Sequence, residues 1–385
     1  MKIAIDLLSL PSTGGTLTYA NEVLPRLCSR LRDCVVIIRP DFEEHFKRLL
    51  GSNAQLYVAP AATRNIYLRH LYQRVRLPRL LSAWNAQVLW IPGGVSGTRR
   101  KAHSDLRLVS MVRNMLPFEP RERKRFSFFA EPGLRLKLWL LRFGMEGTIS
   151  SADRMIFISR HSAETVGKNF PNIDRRIIPH GIGKAFVASK QEGDEQVLKK
   201  YGIRMPYFLY VSTLDPYKHQ DVVVRGFEEF RKSNNSDAQL VLAGAIGGNG
   251  SKGSYGRSVG KMIAPLGQSV VCTDLVARED LPSLCRHAEI LIFASTCETC
   301  PNILLEYLGS GRPIICSNTA PMPEFAGDAA LYVNAEDPGE WCRDLTELTK
   351  DPMKATQLCT LAKERSKQFS WEETLSKTIA ALTEW

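Results

Sequence analysis

Two glutamates, Glu298 and Glu306, stand eight positions apart around the run Thr299-Cys300-Pro301-Asn302-Ile303. Ionised carboxylates accept hydrogen bonds from sugar and ribose hydroxyls. The strand-like run HAEILIFAS precedes them and RPIICS follows, so the segment between reads as a loop entering a helix. The backbone amides of Asn302 and Ile303 at such a helix start would face an anion, with the helix dipole behind them. A ligand with both hydroxyls and phosphate, a nucleotide sugar, suits that arrangement. A glycosidase pair does not. Its carboxylates lie about 5 to 9.5 Å apart across one bond, whereas eight residues of helix span about 12 Å, and Pro301 leaves Glu298 in the loop. Taken alone, a surface loop acid and a solvated helix residue account for the two glutamates at least as well.

Two further segments repeat the strand–loop–helix plan. In YFLYVSTLDPYKHQ a strand ends, an Asp-Pro turn follows, and Lys218 stands near a helix start. An ammonium there neutralises a diphosphate as a point charge; by itself, a solvated lysine is the plainer account. In SLPSTGGTLTYANEVL, Gly14 and Gly15 precede a helix beginning near Thr16. Glycines at that place let the backbone approach a phosphate, and a flexible turn explains them equally well.

The elements that must position these residues alternate along the chain. In the first half the strand candidates are KIAID, CVVIIR, AQLYV, AQVLWI, LRLVSMV, RMIFIS and RRIIP, with helical patterns at 16–31, 41–50, 66–83, 121–145 and 160–169. The pattern lapses from Gly181 to Gly202, then resumes with YFLYVS, AQLVLAG, SVVCT, AEILIFA, RPIICS and AALYV. Alternation of this kind predicts parallel sheets with helices on both faces. The expectation is an α/β protein of two Rossmann-like, doubly wound domains facing a cleft. Residues 1–182 form the first, acceptor-side domain, 183–205 a linker, 206–369 a nucleotide-sugar-binding domain, and 370–385 a C-terminal helix. Ser370 followed by Glu373 has the form of a capping box. Trp371, Leu375, Ile379 and Leu382 recur at helical spacing, as in a helix closing the core of the second domain.

Composition narrows the class. The chain has 385 residues, of which 44% are hydrophobic and 24% charged, which excludes disorder. No apolar run approaches the roughly 18 residues of a membrane span, and Asp6 interrupts MKIAIDLLSL as a signal peptide. Nine cysteines without regular spacing suit a reducing cytoplasm. The net charge of +11 is uneven: residues 1–185 hold 30 Lys+Arg against 14 Asp+Glu, and the remainder 21 against 26. Within the basic half, Arg64, Arg69, Arg74, Arg76 and Arg79 form one stretch. Arg121, Arg123, Lys124, Arg125, Arg135, Lys137 and Arg142 form another, among Phe126, Phe128, Phe129, Leu138 and Trp139. Basic residues beside aromatics fit an anionic membrane surface; core-facing helices with solvated arginines fit as well. No nucleic-acid-binding pattern is present.

Taken together, the segments resemble retaining glycosyltransferases of the GT-B fold, in family 4 (glycosyl transferases group 1). The resemblance covers almost the whole chain and is strongest over 207–335, in YFLYVSTLDPYKH, CETCPNILLEYLGSGRPIICSN and PMPEFAGDAALYV. It implies two Rossmann-like domains with a C-terminal helix crossing back to the first. Glu298 would contact the donor sugar's hydroxyls and Glu306 the ribose. The backbone of Thr299, Cys300, Pro301, Asn302 and Ile303 would line the sugar and diphosphate. Lys218 would stabilise the leaving diphosphate in place of a metal. Leu275 and Val276, in TDLVARED, would border the base, and Gly14 and Gly15 would approach the donor. The resemblance also implies a UDP- or GDP-sugar as substrate with no resident cofactor or metal, transfer of a hexose with retention, and a glycan acceptor. Combined with the basic first half, it suggests a lipid-linked or cell-surface polysaccharide intermediate and an enzyme peripheral to the inner face of the membrane.

Two positions depart from the family pattern. Thr213 stands where many members carry the clamp arginine. Arg113-Asn114, counted with Lys218 and Glu298 as catalytic candidates, stand where many carry a His-Asp pair; Arg113 stays protonated and cannot be a general base, but could hold a phosphate or an anionic acceptor. These departures keep open a second class, a nucleotide-sugar-binding protein without turnover. Gly248-x-Gly250-x-x-Gly253 matches a dinucleotide fingerprint, but in too long and polar a loop. Cys297-x-x-Cys300 lacks the second pair a zinc site needs. His180 reads as structural, and His219 has no assigned role.

Overall fold

A computed structural model describes residues 1–12, 14–99, 105–126, 132–189, 191–244 and 254–385. The chain divides into two compact units: residues 1–118, 136–181 and 370–385 form the first, and 119–135 with 182–369 the second. All thirteen strand-like runs are strands, and each unit has its own parallel sheet.

In the first unit the strands are β1 (Ile3–Asp6), β2 (Cys34–Ile38), β3 (Gln55–Val58), β4 (Val88–Ile91), β5 (Arg107–Val112), β6 (Arg154–Phe157) and β7 (Asp174–Ile177). Their order is β3-β2-β1-β4-β5-β6-β7. Every residue of β1, β2 and β4 is buried, as expected of parallel strands covered on both faces. The edge strand β7 is largely exposed and carries Arg175 and Arg176, charges that discourage pairing with another chain.

The second unit holds β8 (Tyr207–Val211), β9 (Gln239–Ala243), β10 (Val270–Cys272), β11 (Ile290–Phe293), β12 (Ile314–Ser317) and β13 (Leu331–Val333). Their order is β10-β9-β8-β11-β12-β13. Its core packs Phe208, Phe227, Phe230 and Trp341.

Several sequence expectations need correction. The 66–83 pattern is two helices, Ile66–Val75 and Leu77–Ala83; Pro78 has no amide to continue the hydrogen-bond ladder. The 121–145 pattern is also two helices, Pro120–Lys124 and Pro132–Ile149, and the first belongs to the second unit. The expected linker 183–205 contains helices Lys184–Val187 and Asp194–Lys200. Asp194 anchors it: its carboxylate accepts from Ser283 Oγ at 2.6 Å and Arg286 Nη2 at 2.8 Å. Burial raises the Asp194 pKa, but these donors outweigh burial and hold it well below the carboxylate range. The C-terminal helix Trp371–Thr383 packs in the first unit, against helix Gly15–Leu31, as the family resemblance implied, and does not close the core of the second. Ser370 caps it through the Glu372 amide at 3.1 Å. Glu373 pairs with Lys377 at 2.7 Å, so the anticipated reciprocal box is not formed. The glycine motif at 248–253, with Phe128 and Phe129, lies outside the described residues.

Candidate active site

The second sheet reverses its strand order between β8 and β11. In open α/β sheets, ligands bind beyond the carboxyl ends of the strands at such a switch point. After β8, Ser212 to Asp215 lead into the short turn Pro216–Lys218 and then helix Gln220–Asn234. After β11, residues 294–301 lead into helix Asn302–Ser310. The two loops are joined. Thr296 N donates to Tyr217 O at 2.9 Å, and Tyr210 OH donates to Lys218 O at 2.6 Å.

This framework brings Lys218 and Glu298 into an ion pair between Nζ and Oε1. The side chains are 12% and 17% exposed, so the pair is partly shielded yet open to a ligand. The Lys218 ammonium lies 5.3 Å from the Tyr217 ring centre and 5.6 Å from that of Phe293. Next to it, His219 adopts a left-handed backbone with φ 51°. Its Nε2 lies 3.1 Å from Thr296 Oγ1. Burial, reinforced by Arg125, lowers the His219 pKa to about 4, so its ring is neutral at neutral pH and has no part as an acid there.

A support absent from the sequence reading comes from helix Pro120–Lys124. Glu122 is buried and accepts from Thr296 Oγ1 at 2.8 Å and Arg125 Nε at 2.6 Å. Arg125 also pairs with Glu336, as does Arg121 at 2.7 Å. No local periodicity could place this segment beside residues far along the chain.

The remaining expected donor residues are distributed as follows. Thr213 Oγ1 donates to Asp215 Oδ2 at 2.8 Å, so it orients a neighbouring acid. Thr299, Cys300 and Pro301 are buried before the helix start, and Asn302 and Ile303 are half-buried. The Asn302 amide donates to Cys300 O at 2.9 Å, which engages one of the amides expected to face a phosphate. Cys297 and Cys300 are buried free thiols, and burial pushes the Cys297 pKa well up. Glu306 is buried, its pKa raised by burial, and ion-paired with Arg278, whose Nη1 lies 3.0 Å from Oε2. Leu275 is exposed and Val276 buried, on a loop anchored by the Ala277 amide to Tyr201 OH at 3.2 Å.

Gly14, Gly15, Arg113 and Asn114 lie in the first unit. Gly14 has φ 90°, a backbone favouring glycine, and starts helix Gly15–Leu31. Arg113 follows β5; its Nη2 donates to Gly15 O at 3.1 Å, and its Nη1 lies 2.7 Å from His180 Nε2. The guanidinium also sits 4.7 Å from the Tyr19 ring centre. Asn114 accepts from the Leu116 amide at 3.0 Å, a local turn contact.

Known proteins resemble this chain along most of its length. A family model described as Glycosyltransferase Family 4 matches residues 13–185, and one described as Glycosyl transferases group 1 matches 205–351. D-inositol 3-phosphate glycosyltransferase of Salinispora tropica is 25% identical over 258 residues, 61% of this chain and 52% of that protein. O-antigen chain mannosyltransferase B of Escherichia coli is 26% identical over 196 residues, 48% of each chain. The chain thus spans about half the length of the curated relatives it matches. The crystal structure of Anabaena HepE in complex with UDP-glucose shares the fold, with a TM-score of 0.73 over 100% of this chain and 99% of that one at 14% identity.

Proposed function

The chain belongs to the family 4, group 1 glycosyltransferases, and on that premise we propose that it moves a hexose from a nucleoside-diphosphate sugar to a glycan hydroxyl. The observation that carries this is the Lys218–Glu298 pair at the switch point of the second sheet. Lys218 supplies the positive charge for the departing diphosphate, where charge develops in the transition state. Glu298 accepts from hydroxyls of the donor sugar, and Glu306 from the ribose. The bond from the anomeric carbon to the phosphate oxygen breaks and a bond to the acceptor oxygen forms on the same face. The acceptor's proton passes to the departing phosphate. Configuration is retained, and Lys218 provides the charge that a metal supplies elsewhere. UDP and GDP are the expected nucleotides. UDP-glucose accompanies HepE, and one relative is named a mannosyltransferase.

The acceptor is a lipid-linked or cell-surface polysaccharide intermediate, met at an anionic membrane. Two helices support this. Ile66, Tyr67, Leu68 and Leu71 are exposed on Ile66–Val75, and Leu136, Trp139, Leu140 and Phe143 on Pro132–Ile149. Arg64, Arg69, Arg74, Arg135, Lys137 and Arg142 accompany them. Exposed aromatics among cations suit a headgroup layer. The expected strip 121–142 is shortened, because Arg121 and Arg125 are committed to Glu336. No helix among the described residues is long and apolar enough to cross a membrane.

Release of nucleoside diphosphate from UDP- or GDP-sugars tests the chemistry. Wild-type protein should release it slowly without acceptor, and Lys218→Ala should not. Tight donor binding with no release from wild-type protein, whatever acceptor is added, would favour a binding protein, the reading that Thr213 and Arg113 keep open. Co-sedimentation tests the membrane. Binding to anionic vesicles should be reversed by salt, whereas equal binding to neutral vesicles would count against the electrostatic reading.

A further inference from the structure

The Glu306 carboxylate has a partner that the sequence motif does not contain. Arg278, on the loop between β10 and helix Leu281–His287, takes both of its oxygens: Nη1 donates to Oε2 at 3.0 Å and Nη2 pairs with Oε1. The arginine side chain is 48% exposed and the glutamate side chain 7%. The guanidinium lies 5.1 Å from the Phe186 ring centre, a cation–π contact. An ionised carboxylate has about four acceptor positions, of which a bidentate arginine takes two.

We propose that Arg278 is a positioning residue for the donor: its two-pronged grip fixes the plane of the Glu306 carboxylate and leaves the remaining acceptor positions for the two ribose hydroxyls. The inference rests on the reading that Glu306 takes the ribose. Two observations support it. Burial pushes the Glu306 pKa up, and Arg278 is the charge that draws it back. The other titratable groups acting around the carboxylate are Cys285 of helix Leu281–His287 and Tyr307 beside it, both pushed up by burial and neutral at pH 7. Helix Leu281–His287 also carries Arg286 and His287, both paired with Asp194, and the further helices packed on Asn302–Ser310 carry Lys184, Glu324, Lys354, Cys359, Lys363, Glu364 and Arg365. The Lys363 stem lies against Gly311, just past the far end of that helix. Without Arg278 the acid would lose the charge that draws its pKa down, and burial would push it further up.

Calorimetric binding of UDP and GDP, each beside its 2′,3′-dideoxy form, tests this in wild-type, Arg278→Gln and Arg278→Lys proteins at pH 7 and 9. Arg278→Gln should weaken the ribonucleotide about ten- to a hundredfold at pH 7. It should leave the dideoxy form unchanged, and its penalty should be smaller at pH 9 than at pH 7, because a raised pKa favours the charged carboxylate only as pH rises. Arg278→Lys keeps the charge without the fork, protects against loss of folding, and should fall between. Equal weakening of both forms, an unchanged or tighter ribonucleotide in Arg278→Gln, or wild-type affinity in Arg278→Lys would each overturn the proposal. Wild-type protein that binds neither nucleotide, or binds ribo and dideoxy forms alike, would overturn the ribose reading itself and the inference with it.

Discussion

The two sheets share a plan and use their switch points differently. In the second sheet, at β8/β11, the loops present Lys218 and Glu298 as a partly exposed pair of opposite charges. In the first, at β1/β4, the polar groups are turned inward. Asp6 at the end of β1 is 1% exposed. Its carboxylate accepts from the Leu8 amide at 3.0 Å, Gln73 Nε2 at 2.8 Å and Ser96 Oγ at 3.0 Å. Ser9 Oγ donates to Val95 O at 2.7 Å, closing the β1 loop onto the β4 loop. A buried carboxylate whose acceptors are occupied rigidifies a loop, whereas a partly exposed ion pair can exchange a partner for a ligand. The same crevice therefore serves as a structural knot in one unit and a candidate catalytic centre in the other.

Three changes should separate those roles. Lys218→Ala removes the only side chain placed to meet leaving-group charge in the proposed mechanism. It should lower kcat about 10²- to 10³-fold, or about 2.7–4 kcal/mol, with little change in thermal stability; a comparable fall in Tm would make the pair structural, like its counterpart. Gly94→Ala strikes the first switch point. Gly94 has φ 77°, and a Cβ there would lie 2.6 Å from Met111 O. A loss of about 1–3 kcal/mol in unfolding free energy is expected, with nucleotide affinity in the second unit unchanged by calorimetry.

The smallest effect concerns pH. Burial raises the Asp6 pKa despite its three donors. The folded chain therefore keeps a proton that the unfolded chain releases near pH 4, about 3.9 for an ordinary Asp. The stability this proton contributes is complete below that value and lost as pH rises through the raised folded pKa. Asp6→Asn should abolish the slope. Wild-type and variant unfolding free energies should diverge by about 1.4 kcal/mol per pH unit across that window. Parallel curves from denaturant titrations would show that Asp6 remains ionised in the fold.

What was legible in the sequence follows from how far each signal reaches. Lys218 and Glu298 were legible because each follows a buried strand by only a few residues, and a parallel sheet brings strand ends to one edge. The Arg278–Glu306 pair was not, because nothing local tells which loop residue will turn over a neighbouring helix. Glu122 was given no role for a related reason. Its basic, aromatic surroundings suited a surface helix, while its bond from Thr296 and its ion pair with Arg125, which also pairs with Glu336, lie in the second unit. The anchoring of 183–205 through Asp194 was not legible, because loss of apolar alternation says nothing about a buried carboxylate with arginine and serine donors.

The sequence by itself determined the thirteen strands, the two parallel sheets and the family, because hydrophobic alternation and loop motifs are written within a few residues of one another. Only the tertiary structure decided which charges meet, which acids are buried, and which unit receives the 119–135 segment. Those outcomes depend on desolvation and on partners up to hundreds of positions away. Arg30, for example, donates to Glu372 at 2.7 Å, 342 positions along the chain, a contact that no local pattern encodes.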